Sequence, residues 1–570
     1  ALIAEGRKLA AIHGVGPCPF LESHGVASEA EYKRARAAEG TIMLHAHLGY
    51  RDQERTRRAY AEIHERIAAA GHRLDRYGIC FDQNMGYPRS LRAEMPRGTG
   101  LILDEPEDFA ALTACAPVAP HFGDFMIGTP ASVENTAAAL AAGATVIGNL
   151  GQYFAYRMSH WDDEVGTTAE TVKAIAMIAA QPQDVMVQSN LNDGYAALFR
   201  DLACCLGSVL IERYIVEELL GARVCFCYGH NFSEPLTRLA FQRALAAATE
   251  TPGSMIYGNT SIYDGAGIAN YGGLASYFLV DVVAQRTRPS GHAINPVPAT
   301  EAERIPDIDE IVDAHLFANR MIETAAPYEE LFDLEAAEAL ARRITAGGEL
   351  FRDRVFAALA EAGIDTADPV ELLLSLRRIG ARRLEARFGP GARPAERPEA
   401  PQPVVKASTV ADLEGAGAAA LEALEGEARA ALTRARLTAC VATTDVHEYG
   451  KILVETVLGG LEMALIDAGV CADPDTVAAR AKDHGADFIA LSTYNGIALD
   501  YITALGREMA RLGLDIPVFI GGRLNQVPSG SNTSLPVDVS AEIAAAGAVA
   551  CKGLEEMLSR LVDMARERVG

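Results

Sequence analysis

The loop from Thr443 to Lys451 reads TTDVHEYGK, which sets Asp445 two residues before His447 and Gly450 three residues after it. An imidazole can carry a proton near neutral pH or hold a metal through one ring nitrogen. A carboxylate two residues away can accept a hydrogen bond from the other nitrogen and so fix which one is presented. Two more groups follow in order. Ser492-Thr493-Tyr494 comes after residues 451–491, and Gly521-Gly522 after residues 495–520. All three groups lie where a short apolar run ends: RLTACVATT, ADFIALST and IPVFIGGR. A zinc site on His447 and His484 lacks a third ligand at usable spacing. A dinucleotide site fails because no G-x-G-x-x-G follows a strand here.

The three groups at these spacings resemble the cobalamin-binding signature Asp-x-His-x-x-Gly, Ser-x-Leu, Gly-Gly, with Tyr494 standing where the signature has Leu. The resemblance implies that His447 is the lower axial ligand of a corrinoid cobalt. Asp445 then fixes the imidazole tautomer, and Gly450 turns the loop into a helix without a side chain meeting the corrin. Ser492 is implied to hydrogen-bond the displaced nucleotide base buried in the domain. Gly521 and Gly522 would let backbone approach that tail, as a residue without Cβ can.

The elements that must position these groups form a compact α/β unit. Apolar strand-like runs alternate with YGKILVETVLGGLEMALIDAG and ALDYITALGREMARLG, each read as one helix, and the chain closes on a short strand and a helix. This predicts a doubly wound, flavodoxin-like sheet, whose ligands collect at the carboxyl ends of strands. One helix, about Val410 to Leu432, leads into it. Upstream, FGPGARPAERPEAPQPVV reads as a Pro-rich, semi-extended linker and a boundary. From Thr41 to about Val297, runs such as TIMLHAHLGY, RYGICFDQN, ATVIGNLGQ, DVMVQSN, ARVCFCYGH and GSMIYGNTS have the length of buried parallel strands. Strand–helix alternation over that span predicts a (β/α)8 TIM barrel with ligands at the strand ends. The resulting division is 1–40 extension, 41–305 barrel, 306–388 helical extension, 389–408 linker and 409–570 cobalamin-binding domain.

The barrel resembles the large subunit of glutamate mutase over most of residues 40–395. The likeness is carried by TIMLHAHLGY, GTPASVENTAAALAAGATVIGN, GSVLIERYIVEELLGARVCFCYGHNFSEPLTRLAFQRAL and RFGPGARP. It implies an adenosylcobalamin-dependent carbon-skeleton mutase with both usual subunits fused in one chain, and a homodimer through the barrel. His47 and Met126 stand where that family has substrate-gripping arginines, and Asn149 where it has a glutamate for the substrate amine. The implied substrate is therefore a small polar acid other than glutamate. Gly49 matches a glycine that approaches the corrin, and Glu301 a glutamate that holds the cofactor's adenosyl ribose. The candidate catalytic residues are His47, Asn149, Tyr156 and Arg157. Arg89, Gln152, Gln188, Asn190 and His230 are candidates for binding substrate, with His45, Asp82, Asn84 and Asn259 beside them. Arg157 and Arg89 are the expected carboxylate partners.

The chain of 570 residues is 49% apolar and 22% charged, with a formal charge of −25. That balance argues against an unaided nucleic-acid binder. Ten scattered cysteines, no long uncharged apolar run and a charged opening stretch give the expectation of a reduced, cytoplasmic protein with no membrane partner. Two other readings use the same histidine loop: a corrinoid methyltransferase, which would place a helical bundle before the cobalamin domain, and a cobalamin-binding sensor or carrier.

Overall fold

The computed structural model describes residues 1–569 apart from 99, 193, 259–262, 264–266, 302–303, 396–399, 446 and 528–535. The chain divides into two compact units, Ala1–Phe154 with His160–Thr409, and Ala155–Ser159 with Val410–Gly570.

The first unit is built on eight parallel strands: β1 Met43–Leu48, β2 Arg76–Ile79, β3 Ala119–Phe122, β4 Val146–Ile147, β5 Met186–Ser189, β6 Arg223–Tyr228, β7 Met255–Ile256 and β8 Ala293–Ile294. Their order, β7-β6-β5-β4-β3-β2-β1-β8, is that of a nearly closed TIM barrel with the seam between β7 and β8. The strands are buried on both faces, as parallel strands covered by helices must be. A helix follows each one, from Gln53–Ala69 after β1 to Ile308–Thr324 after β8. Several start on an aspartate whose carboxylate accepts a first-turn amide: Asp52 from Arg55, Asp163 from Gly166 and Asp201 from Ala203.

The helix Glu29–Ala38 closes the amino end of the barrel. Its Ala30 packs among Val146, Met186 and Cys225 at the strand starts. After the barrel the helix Leu334–Glu361 lies against Leu202–Arg213, and the close fit depends on glycine: a Cβ at Gly207 would stand 2.9 Å from the Gly348 carbonyl. The end of the Pro-rich segment is bound to this unit. Val404 and Val405 donate their amides to the Asp201 carboxylate, and Ala407 to the Arg200 carbonyl.

The second unit holds β9 Thr438–Thr443, β10 Ala464–Gly469, β11 Phe488–Thr493, β12 Val518–Gly522, a hairpin of β13 Asn525–Gln526 with β14 Val537–Asp538, and β15 Val549–Cys551. The main sheet is parallel in the order β10-β9-β11-β12-β15, the flavodoxin-like winding the sequence predicts. An apolar layer covers each face, one around Ile489, Ile520 and Leu505, the other around Val441, Phe519 and Leu561.

Two expectations are corrected. The stretch YGKILVETVLGGLEMALIDAG is not one helix: the helix Tyr449–Gly460 ends at two glycines, Glu462 takes φ +57°, and β10 follows. As an edge strand with half its residues exposed, β10 lacks the unbroken apolar run that marks the inner strands. The helix read over Val410 to Leu432 is two, Ser408–Ala423 and Gly426–Ala435, interrupted before Gly426. Leu421 and Ala428 of this pair, with Leu424 between the two helices, pack onto the sheet layer around Val441. Among the described residues, no helix is long and apolar enough to cross a membrane.

Candidate functional site

Within the barrel, β1 and β2 align His45 with Arg76 and His47 with Gly78. The two imidazoles occupy the space that a side chain at position 78 would need, since a Cβ there would stand 2.8 Å from both rings. Arg76 is the hub of this interior. It pairs with Glu29 at 2.8 Å, lies 3.2 Å from His45 Nδ1 and donates to Gln188 Oε1 at 2.8 Å. Glu29 also pairs with Lys33 of its own helix at 2.9 Å, and all three side chains are almost wholly buried. From Gln188 the bonds run outward: Gln188 Nε2 donates to Asn190 Oδ1 at 2.8 Å, and Asn149 Oδ1 accepts the amides of Asn190 and Gly151. Three candidates, Gln188, Asn190 and Asn149, are thus joined in one network through an arginine that sequence reading passed over. Counting alternate residues along RYGIC would have placed Arg76 on the inward face with Gly78.

A cavity in this unit brings His47 and Glu301 together, with Tyr257, Asn295 and His315 in its wall. His47 meets Tyr257 edge to face at 5.0 Å and Cys80 Sγ at 3.3 Å through Nδ1. Burial and then the Arg76 charge take the His47 pKa down to about 3, so its imidazole is neutral. Burial, reinforced by Glu310, pushes Glu301 up to about 7. Burial also holds the phenol of Tyr257 in its protonated form. The cavity therefore offers neutral hydrogen-bonding groups and one carboxyl poised to change charge near neutral pH.

The other candidates sit elsewhere. Gln152 spans a turn, donating to Asp124 Oδ1 at 3.1 Å and accepting from the Phe125 amide at 2.7 Å. Asp82 and Asn84 organise the loop after β2, Asp82 accepting the amides of Gly98 and Gly100 and Asn84 donating to the carbonyls of Arg92 and Pro96. The guanidinium of Arg89 lies 3.5 Å from Glu105 and its amide donates to Glu134. Tyr156 and Arg157 belong to the segment grouped with the second unit, and His230 is half-buried beyond the end of β6. Asn259 lies outside the described residues. Gly49 has a reason inside the barrel, because a Cβ there would stand 2.2 Å from the Cys80 carbonyl oxygen.

In the second unit, the chain leaves β9 for β10 on one side and returns to β11 on the other. This reversal opens a crevice at the carboxyl ends of β9 and β11, where ligands of such sheets bind. Asp445 is buried at its floor. Oδ1 accepts both the amide of His447 at 3.0 Å and its Nδ1 at 2.7 Å. Oδ2 accepts the amides of Tyr494 at 2.7 Å and Asn495 at 3.1 Å, and the Thr444 hydroxyl at 3.1 Å. Burial works to raise the Asp445 pKa, yet the hydrogen bond and charge of His447, with these amides, take it below the usual carboxylate value. Asp445 thus remains an acceptor, Nδ1 carries the shared proton, and the nitrogen that can coordinate a metal is Nε2.

The neighbouring residues complete the crevice. The Tyr494 ring lies on the His447 imidazole with centroids 4.3 Å apart, and the Arg523 guanidinium carbon is 5.0 Å from the centre of the Tyr494 ring. A Cβ at Gly450 would stand 2.2 Å from Ser492 Oγ, so the glycine lets the helix start against that hydroxyl. Gly522 has φ +102° and its Cβ would stand 2.3 Å from the Thr493 carbonyl oxygen, whereas at Gly521 the nearest atom would be 3.4 Å away. An imidazole donor oriented by a carboxylate, with a hydroxyl and an open glycine backbone beside it, fits the lower face and tail of a corrinoid. Among the described residues there is no cluster of three or more His, Cys, Asp or Glu able to hold a metal by themselves.

A crystal structure of a cobalamin-binding protein from Desulfitobacterium hafniense DCB-2 matches 28% of this chain and 71% of its own, at 21% identity and a TM-score of 0.21. Residues 435–539 match the model of the B12 binding domain. The chain thus joins a nearly closed eight-stranded parallel barrel to a carboxyl-terminal parallel sheet bearing a B12-binding domain.

Proposed function

We propose that this protein is an adenosylcobalamin-dependent radical isomerase, a carbon-skeleton mutase of the glutamate mutase type, acting on a small polar acid other than glutamate. The observation that carries the reading is the pairing of a B12-binding domain with a barrel whose interior is lined by buried, hydrogen-bonded polar side chains. A barrel filled only by apolar layers would serve as a scaffold. This one offers His47, Tyr257 and Glu301 in a cavity, with the amides of Gln188, Asn190 and Asn149 held in place from below.

Adenosylcobalamin supplies a carbon-centred radical when its cobalt–carbon bond opens. In this reading His447 would hold the cobalt through Nε2, and Asp445 keeps the imidazole in the required tautomer. His47, neutral over the working pH range, donates or accepts a hydrogen bond at the substrate without taking its proton. Glu301 offers the ribose hydroxyls an acceptor. The burial of the cavity shields reactive carbon from side reactions. The departures at His47, Met126 and Asn149 replace the charges that would grip glutamate, which is why the substrate is placed among other small acids. A homodimer through the barrel belongs to the same proposal.

The test is low-temperature electron paramagnetic resonance of the protein loaded with adenosylcobalamin, against a panel of small carboxylic and hydroxy acids. A coupled cobalt(II)–radical signal with one compound is the expected result. Silence across the panel together with methyl transfer from methylcobalamin to a thiol or folate would replace this reading with that of a methyltransferase. The two helices before β9 are committed to the sheet layer through Leu421, Leu424 and Ala428 rather than standing apart as a cap.

A further inference from the structure

Asp445 grips His447 at Nδ1, and the Cβ–Cγ bond tethers the ring beside it. Within the tolerance of that hydrogen bond the ring can still rock and carry Nε2 with it. A contact on the ring face narrows this motion and with it the direction of the Nε2 lone pair. The structure provides one in Tyr494, whose ring lies 4.3 Å from the imidazole centre at an interplanar angle of 33°.

Tyr494 is itself unusually well placed to act on His447. Its amide donates to Asp445 Oδ2 at 2.7 Å, so the carboxylate that holds the imidazole also holds the backbone carrying the tyrosine. The Asn495 amide donates to the same oxygen at 3.1 Å. Arg523 then approaches the Tyr494 ring, its guanidinium carbon 5.0 Å from the ring centre. The placement of Arg523 is also built in. Thr493 pairs with Gly522 across β11 and β12, and the Arg523 amide donates to the Thr493 carbonyl at 2.9 Å. That approach is open because position 522 is glycine: a Cβ there would meet the same carbonyl at 2.3 Å. Each member of the series His447, Tyr494, Arg523 is therefore set by a backbone contact as well as by its side chain.

We propose that Tyr494 and Arg523 are positioning residues for the cobalt ligand: Tyr494 fixes the plane of the His447 imidazole by stacking on it, and Arg523 steadies the Tyr494 ring. Nε2 then points along a fixed direction before any corrinoid arrives. Coordination would form one bond, from the Nε2 lone pair to cobalt, in exchange for the one to whichever base or water held that position. Pre-orientation lowers the loss of freedom that this exchange requires. The proposal rests on His447 being the ligand and not on the mutase reading, because it concerns how cobalt is held and not what is done with it.

The experiment uses the full chain with cob(II)alamin and follows two quantities: affinity by titration, and the nitrogen hyperfine structure of the cobalt(II) resonance with 15N-labelled histidine. In the parent protein the label should change the splitting, identifying a histidine nitrogen on cobalt. Tyr494→Phe should match it in both quantities. Tyr494→Ala should bind about threefold to tenfold more weakly, the range of an aromatic contact. Its resonance should also broaden, as the cobalt–nitrogen direction becomes distributed. Arg523→Gln should move the same way by about twofold to threefold. Tyr494→Leu keeps a side chain in place without a ring, so it separates a loss of stacking from a collapse of the loop; it should resemble Tyr494→Ala in linewidth. Parent-like linewidth and affinity in Tyr494→Ala would overturn the proposal. So would a Tyr494→Phe variant as impaired as Tyr494→Ala, since the hydroxyl and not the ring would then be responsible. His447→Ala is the control: if it keeps the labelled splitting, the ligand is another histidine, and the positioning role falls with the assignment. Success or failure of the substrate panel under adenosylcobalamin leaves all of these outcomes untouched.

Discussion

The histidines of the two units are prepared for different work. His45, His47 and His121 lie inside the barrel, where burial and then the Arg76 charge hold their pKa values down. Nearby cations add to the effect of burial: Arg76 lies 3.2 Å from His45, with Lys33 behind it across Glu29. His447 is half-buried at a sheet end and is backed by a carboxylate at 2.7 Å. A neutral imidazole among cations gives and takes hydrogen bonds without gaining charge. One backed by a carboxylate is a stronger electron donor and suits a metal. The residue type is common to both sites, and burial together with the sign of the nearest charge separates their chemistry.

The largest break in this comparison comes from removing the counter-charge of the barrel cluster, Glu29, which pairs with both Lys33 and Arg76. Glu29→Ala would leave two buried cations facing each other, and such a loss costs about 3–5 kcal/mol. Thermal unfolding should show it as a large fall in Tm of the barrel transition. Cobalamin affinity of any folded fraction should be unchanged. In the second unit the counterpart is Asp445→Ala. Loss of a carboxylate behind a metal-binding histidine weakens binding about 10-fold to 100-fold. Titration with cob(II)alamin reads that loss, and unfolding of the first unit should not respond.

The difference between the units also explains what the sequence could reveal. The sheet-end site was legible because its groups are close in sequence to strand ends and depend on short spacings: Asp445 to His447 is one turn of loop, and Ser492 and Gly521 end adjacent strands. The barrel was legible as strands, for apolar runs mark them. Its interior was legible in part: His47, Asn149, Gln188 and Asn190 stand out as polar strand ends, but Arg76 and Glu29 join them only through closure of the barrel, with 112 positions separating Arg76 from Gln188. The glutamate comes from a helix outside the strands altogether. The two misread helices have one cause: an edge strand and a helix break both lack a distinct apolar pattern, and Gly459-Gly460 and Gly426 were the available signals. Arg89, a cation chosen by type, lies beside Glu105 in the structure.

The pH dependence of stability sharpens the comparison at intermediate size. A buried histidine with a depressed pKa takes up no proton where the unfolded chain does, so stability is lost as pH falls below about 6.5. His121 is such a group, with Nδ1 near the Val146 carbonyl at 3.0 Å. Glu212, buried against β5 and bonded to the Ser189 hydroxyl at 2.7 Å, is pushed by burial from 4.5 up to about 8. It keeps its proton where the unfolded chain releases one, so stability falls as pH rises from about 4.5 to 8, by at most about 1.4 kcal/mol per pH unit. The two slopes oppose each other between about pH 4.5 and 6.5, so the barrel should be most stable in that range. His121→Gln should flatten the acidic limb and Glu212→Gln the alkaline one in thermal unfolding across pH. Equal curves for parent and Glu212→Gln above pH 6 would show that the carboxyl is not held protonated.

The smallest expected effects separate two neighbouring glycines. Gly522 has φ +102° and no room for a Cβ against the Thr493 carbonyl, so the protein itself requires glycine there. Gly522→Ala should destabilise the second unit without cobalamin by about 1–3 kcal/mol, the cost of a strained backbone at such a position. Gly521 has an ordinary backbone, and a Cβ would find its nearest neighbour at 3.4 Å. Gly521→Ala should therefore leave unfolding of the cobalamin-free protein within about 0.5 kcal/mol of the parent. If this glycine is kept open for the corrinoid tail, the same variant should bind cob(II)alamin more weakly, so that its effect appears only with ligand present. Equal binding by parent and Gly521→Ala would mean that the tail does not approach this strand end, and that Gly522 and Gly450 alone account for the glycines of the signature through contacts within the chain.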